Sequence, residues 1–171
     1  PDTSFIQTFE DSSQNILLTT EVSAPDIESR RTHRVTQPDT SYVEEFKDSS
    51  ETVLQTTEVS VPDGQNRRTH KVIQPDTSFV EEFKDDSENV LFTTDASAPD
   101  GQNRRTHKQI QPDTSIVEEL KDVSQNIMLT TEVSAPDGQS RRTHRVTQTD
   151  TSFVEELKDA SQNVLLTTDV S

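Results

Sequence analysis

In 171 residues the chain sets 16 Lys and Arg against 32 Asp and Glu, for a formal net charge of −16. Only 27% of its residues are hydrophobic, and it has neither Cys nor Trp. Such a composition offsets poorly the roughly 1–2 kcal/mol per residue that ordering a backbone costs. The lack of Cys excludes disulfides and thiolate metal sites and leaves the compartment open. No apolar run approaches the ~18 residues of a membrane-spanning helix, and the negative field opposes approach to phosphate, so nucleic acid is not an expected partner.

A repeat of 37 residues accounts for the whole sequence. Its copies cover residues 1–37, 38–74, 75–111 and 112–148, with a partial fifth over 149–171. A strict period makes each copy a modular unit. Because the sequence opens at Pro1 and stops within a repeat, it reads as a fragment of a longer array.

The second, third and fourth copies open with Pro-Asp-Thr-Ser, an apolar pair and Glu-Glu, while the first has Gln7-Thr8 in place of the glutamates and the partial fifth has Thr149 in place of the proline. Ser78 and Glu81 have the spacing of a capping box, as do Ser41 and Glu44, Ser115 and Glu118, and Ser152 and Glu155. Phe79 and Phe83 are four apart, as are Tyr42 and Phe46. That spacing suits one face of a helix or of a strand, and the cap decides for a short helix from Phe79 to Asp85. A polar break follows. Ile16, Leu18, Thr20 and Val22 then alternate with Leu17, Thr19, Glu21 and Ser23, the period of a half-buried strand. Pro62-Asp63-Gly64, repeated at Pro99 and Pro136, marks a turn with Gly closing it; Ile27 stands in place of that Gly in the first copy. The Arg-Arg-Thr-His stretch beyond the turn can fold back as a hairpin.

The expected architecture is an elongated tandem repeat of low regular structure, with one short helix plus short β segments or a hairpin per copy. A largely disordered chain and a β-solenoid are the alternatives. The solenoid is disfavoured because stacked identical coils align Glu44, Glu81, Glu118 and Glu155 in one ladder of like charge, and because two prolines per coil interrupt pairing.

Twelve of the 16 cations lie in the Arg-Arg-Thr-His blocks, so each copy has an acidic front and a basic rear. The arginine pairs Arg30 and Arg31, Arg67 and Arg68, Arg104 and Arg105, and Arg141 and Arg142 are the candidate contacts that order the array or meet a partner, because a guanidinium can fix a carboxylate bidentately. Phe5, Phe9, Tyr42, Phe46, Phe79 and Phe83 are either partner anchors or a small core. His33, His70, His107 and His144 occur once per copy, too sparse for a metal site within one repeat. Adjacent glutamates have no nucleophile beside them, and four equivalent sites in tandem do not resemble one cleft, so neither catalysis nor a cofactor is expected.

These features suggest a non-enzymatic structural or scaffold protein that lies along, or builds, a filament or other periodic assembly. Four junctions without insertion or deletion fit a lattice, for which a cytoskeletal filament such as a microtubule is one candidate. The runner-up is an acidic, surface-exposed spacer or stalk that presents repeated weak sites.

Overall fold

The computed structural model describes residues 3–171 and contains fourteen β-strands, with no helix among the described residues. Strands take up about half of the chain. It divides into two compact units, one ending at Val90 and the other running from Leu91 to Ser171.

The first unit holds β1 (Phe5–Glu10), β2 (Ile16–Val22), β3 (Arg31–Thr36), β4 (Tyr42–Lys47), β5 (Val53–Val59), β6 (Arg68–Ile73) and β7 (Phe79–Lys84). Each pairs antiparallel with the next. The second unit holds β8 (Val90–Ala96), which begins at the boundary, then β9 (Arg105–Ile110), β10 (Ile116–Lys121), β11 (Ile127–Val133), β12 (Arg142–Gln148), β13 (Phe153–Lys158) and β14 (Val164–Val170), paired in the same way. A complete repeat supplies three strands. We call them the front strand (such as β4), the middle strand (β5) and the rear strand (β6).

This overturns the expected helix. The residues from Phe79 onward form β7, and the residues that suggested a capping box instead make a turn. Asp76 Oδ1 accepts from the Ser78 N–H and the Ser78 hydroxyl, so Ser78 serves an Asx turn and caps nothing. The four-residue spacing of the aromatics is equally that of one strand face. A strand also separates the two adjacent glutamates onto opposite faces, where Glu82 pairs with Lys84 and Glu81 lies opposite Lys71.

The low-order and disordered readings fail with the helix. The solenoid fails too: its coils would pair equivalent strands in parallel, whereas every pairing within each unit is antiparallel and joins sequence neighbours. The strand read at residues 16–22 is β2, and the rear stretch folds back on it as β3.

Every connection is built on one turn geometry. In the front-to-middle turn after β7, Glu88 N–H donates to Asp85 O and Asp85 N–H to Asn89 O. This is a type I turn whose fourth residue enters the left-handed region, a three-residue hairpin loop with a bulge. The rear-to-front turn repeats it between Gln74 and Ser78, with Pro75 at the position where a fixed φ near −65° is favoured. The middle-to-rear turn repeats it between Asp63 and Arg67.

Thirteen such turns carry thirteen left-handed residues, and none of them is glycine. Asn66 and Asn103 tolerate that conformation, but Thr40, Thr77, Thr114 and Thr151 are β-branched and strained by it. Gly64 does not close its turn as the sequence suggested; it takes no positive φ. Ile27 can therefore replace it in the first copy, where the turn still forms through Asp26 N–H to Arg30 O.

The middle-to-rear connection also contains an irregularity that admits a proline. Ser60 N–H donates to Thr69 O, and Ser60 Oγ accepts from Thr69 N–H in place of a backbone carbonyl. Val61 and Pro62 then lie outside the ladder, where a missing N–H costs nothing.

Burial is slight. Val22, Val59 and Ala96 are the only buried hydrophobic residues described, at 6%, 5% and 0% exposure. No packed core can dominate stability. What remains is the ladder of backbone hydrogen bonds, each contributing about 0.5–1.5 kcal/mol net, and cross-strand side-chain pairs, at about 0.2–1 kcal/mol each.

Turn strain can be tested by substitution. Gln125→Gly, at φ 67°, is expected to raise stability by about 0.5–1 kcal/mol, because relief of left-handed strain exceeds the added entropy of the unfolded chain. Asn66→Gly should change little. Thr40→Gly should gain less than Gln125→Gly, because the Thr40 hydroxyl is a hydrogen-bond acceptor for Arg68. Urea unfolding midpoints check this order.

Candidate functional site

The register assigns every side chain to a face. Tyr42 lies opposite Val59, Val59 opposite His70, and His70 opposite Glu82. Directly opposed residues share a face, so Tyr42 of one repeat shares a face with Glu82 of the next. Tyr42 and Phe79, which hold the same place in their repeats, therefore face opposite ways. Three antiparallel strands per repeat reverse each copy and turn it over. The feared ladder of like charges never forms: Glu44 lies opposite Arg34 and Thr57, while Glu81 lies opposite Lys71.

The candidate arginines divide into two roles. The first of each pair closes its own turn. Arg67 donates Nε to Asp63 Oδ2 at 2.8 Å, and Asp63 Oδ1 accepts from the Gln65 and Arg67 N–H groups. Arg30, Arg104 and Arg141 hold Asp26, Asp100 and Asp137 in the same way. These bonds hold the Asp63 carboxyl at about 2, chiefly through the Arg67 side chain, and Asp100 and Asp137 also at about 2. Arg30 and Arg67 also lie over the rings of Phe46 and Phe83, at 5.2 and 5.1 Å.

The second arginine crosses its own repeat. Arg68 donates Nη2 to Thr40 Oγ1 at 2.6 Å and Nη1 to Thr40 O at 3.1 Å, passing the end of β5 at Ser60 O. Arg142 grips Thr114 in the same way, and Arg31 reaches Thr3. A threonine in the strained left-handed position thus has a reason: its hydroxyl and carbonyl together receive one guanidinium. Arg105 begins β9 opposite Lys121.

Of the aromatic candidates, Phe5 and Phe9 on β1 are about half exposed. Tyr42 lies under Arg34 at 4.4 Å, and Phe79 under Lys71 at 4.2 Å. Phe46 and Phe83 are covered by the turn arginines already described.

The sequence reading missed the third cation of each block. Arg34, Lys71, Lys108 and Arg145 each lie between two acids in register: Glu21 and Glu44, Glu58 and Glu81, Asp95 and Glu118, and Glu132 and Glu155. Arg34 and Arg145 bind the front-strand acid, with Nη2 to Glu44 at 2.7 Å and to Glu155 at 2.9 Å. The middle-strand acids Glu21, Glu58 and Glu132 make neither hydrogen bond nor ion pair.

Three of these triads, those of Arg34, Lys71 and Arg145, floor equivalent grooves. One contains Ile6, Glu21, Arg34 and Glu44; the next Val43, Glu58, Lys71 and Glu81; a third, in the second unit, Val117, Glu132, Arg145 and Glu155. Serine and threonine hydroxyls rim all three, as Ser60 and Thr69 do for the second. The first two have volumes of about 410 and 380 Å³ and open on opposite faces of the first unit. They are shallow and open to solvent, with the chemistry of a docking surface: an apolar seat beside an uncommitted middle-strand carboxylate.

No group of three or more potential metal ligands occurs among the described residues, and no helix is long and apolar enough to cross a membrane. No known protein family and no curated protein sequence matches the chain.

The Asp63 lock has a definite acid signature. A depressed carboxyl contributes stability above its unfolded value of 3.8 and loses it as pH falls through about 2. Arg67→Gln should raise Asp63 toward 3.8 and start the loosening of that turn correspondingly earlier on acidification. Carboxyl-carbon NMR titration of Asp63 measures it.

Proposed function

We propose that the chain is a non-enzymatic structural scaffold whose repeats set equivalent docking grooves at a fixed step, for a protein partner in a filament or other periodic assembly. The single observation behind this reading is the recurrence of one groove, with an apolar residue, acid, cation and acid at equivalent positions, in three of the repeats. Three strands at about 4.8 Å each give a step of roughly 14 Å per repeat. Because successive copies are turned over, a continuous stretch would present the groove on one face at every second repeat, or roughly 29 Å. Each groove alone is small, so binding would accumulate by multivalency and weaken with salt.

The step also weighs against the spacer or stalk. A stretched copy of 37 residues reaches about 120–130 Å, nearly ten times the advance of a folded one. A chain selected for reach has cheaper solutions than folding into strands. What folding provides is surface, presented at a regular interval.

The test is co-sedimentation of the whole chain with preformed protein polymers, microtubules among them, together with its own assembly by analytical ultracentrifugation across a salt series. The expected result is saturation at a fixed ratio of chain to lattice subunit, or ordered self-assembly. Either should weaken with salt and with Val43→Lys and Val117→Lys in the grooves. A chain that stays a monodisperse, unbound monomer under every condition rejects the scaffold.

A further inference from the structure

The histidines are titratable side chains that neither the turn locks nor the grooves employ. Each lies mid-row on its rear strand. His70 is opposite Val59 on β5 and Glu82 on β7, and His144 is opposite Val133 on β11 and Glu156 on β13. The Nε2 atoms of His33, His70 and His144 are buried and make no hydrogen bond. A proton arriving there must find a charge to meet.

The charges facing each histidine can be named from every neighbouring element. The following front strand supplies a glutamate and a lysine already bound to each other: Glu45 with Lys47, Glu82 with Lys84, Glu119 with Lys121, and Glu156 with Lys158. The rear strand supplies Arg31, Arg68, Arg105 or Arg142, two residues before the histidine. The middle strand offers Val22, Val59, Ala96 or Val133 and no charge. The last neighbour is the left-handed residue of the next front-to-middle turn, and here the repeats differ. Glu51 reaches to 3.9 Å from His33 Nε2, and Glu88 to 3.9 Å from His70 Nε2. The corresponding residues for His107 and His144 are Gln125 and Gln162, at φ 67° and 66°.

We propose that each histidine is a proton sensor whose response is set by this one turn residue, so that mild acidity loosens the second unit while the first keeps its strands. In the first unit an incoming proton meets the carboxylate of Glu51 or Glu88. In the second unit His144 has at that place the neutral amide of Gln162, with the committed Glu156–Lys158 pair and Arg142 beside it. Burial, and then Lys121 and Lys158, hold His107 and His144 below the ordinary histidine value of 6.5.

The sign follows. A histidine depressed in the folded state stabilises the fold while neutral, and that contribution is lost as pH falls through and below the unfolded value. The turn aspartates Asp63, Asp100 and Asp137 stay ionised down to about 2, so the window from pH 7.5 to 5 isolates the histidines.

The experiment is hydrogen exchange on the whole chain between pH 7.5 and 5, corrected for intrinsic exchange rates. Protection in β12 and β13 is expected to fall by at least about threefold while β6 and β7 hold. The paired substitution Gln125→Glu with Gln162→Glu should restore the second unit. Glu51→Gln with Glu88→Gln should transfer the sensitivity to the first. Gln102→Glu with Gln139→Glu adds the same two charges to the second unit away from any histidine row and should restore nothing. Equal loss in both units, no effect of the exchanges, or equal rescue by the Gln102→Glu and Gln139→Glu pair would each overturn the proposal.

Discussion

Three antiparallel strands to a repeat is the constraint on which the rest depends. With an even number, each copy would enter in the same direction and its glutamates would fall in line with those of its neighbours. With three, each copy enters reversed and turned over. Glu44 then faces Arg34 and Glu81 faces Lys71, so the glutamates build no common row, and the like charges left opposite one another are pairs at the strand ends, such as Arg31 with Lys47 and Arg68 with Lys84. The basic rear strand of one repeat lies against the acidic front strand of the next, so the copies are joined by the charges that divide each of them. A chain with net charge −16 can in this way hold together with three buried hydrophobic residues. Individual exposed pairs contribute only about 0–1 kcal/mol, but they recur at every junction, as do the ladder bonds beside them.

The turns carry the second constraint. One three-residue loop serves all thirteen connections, and each requires a left-handed residue. Glycine would meet that need at least strain. The chain instead places threonine wherever the second arginine must be received, asparagine or serine in the middle-to-rear turn, and glutamate or glutamine beside the histidine. At Thr40, Thr114, Glu51 and Glu88 the strained residue has a partner, in Arg68, Arg142, His33 and His70. The fold thus gives its turns more than a reversal of direction: they hold the arginines and face the histidines.

Much of this was legible in the sequence, and the failures share a cause. The period, the middle strand at Ile16 to Val22 and the Asp63 turn follow from local patterns. The front strand was misread because Ser78 and Glu81 satisfy a helix cap while Phe79 and Phe83 satisfy two periodicities at once. The decision lay with residues far along the chain, since the rear strand offers Arg34 or Lys71 to the front glutamates only once the register is known. The third cation was overlooked for the same reason. Its neighbours are acids ten to thirteen residues away, invisible to a reading in windows. Alternation of charge between Phe-Val-Glu-Glu-Phe-Lys and Arg-Thr-His-Lys was the available signal, had the two been set antiparallel.

Because successive copies are turned over, copy number within a stretch of such repeats has a parity. Unequal exchange that removed one whole repeat from within a unit would leave every kind of turn and pairing intact and cost little stability. It would nevertheless move every groove beyond the junction to the other side of the layer. Removing two would restore the original sidedness. A lineage could therefore lengthen or shorten such an array freely in pairs, while a single gain or loss, silent to any measure of folding, would face its binding surface away from the partner.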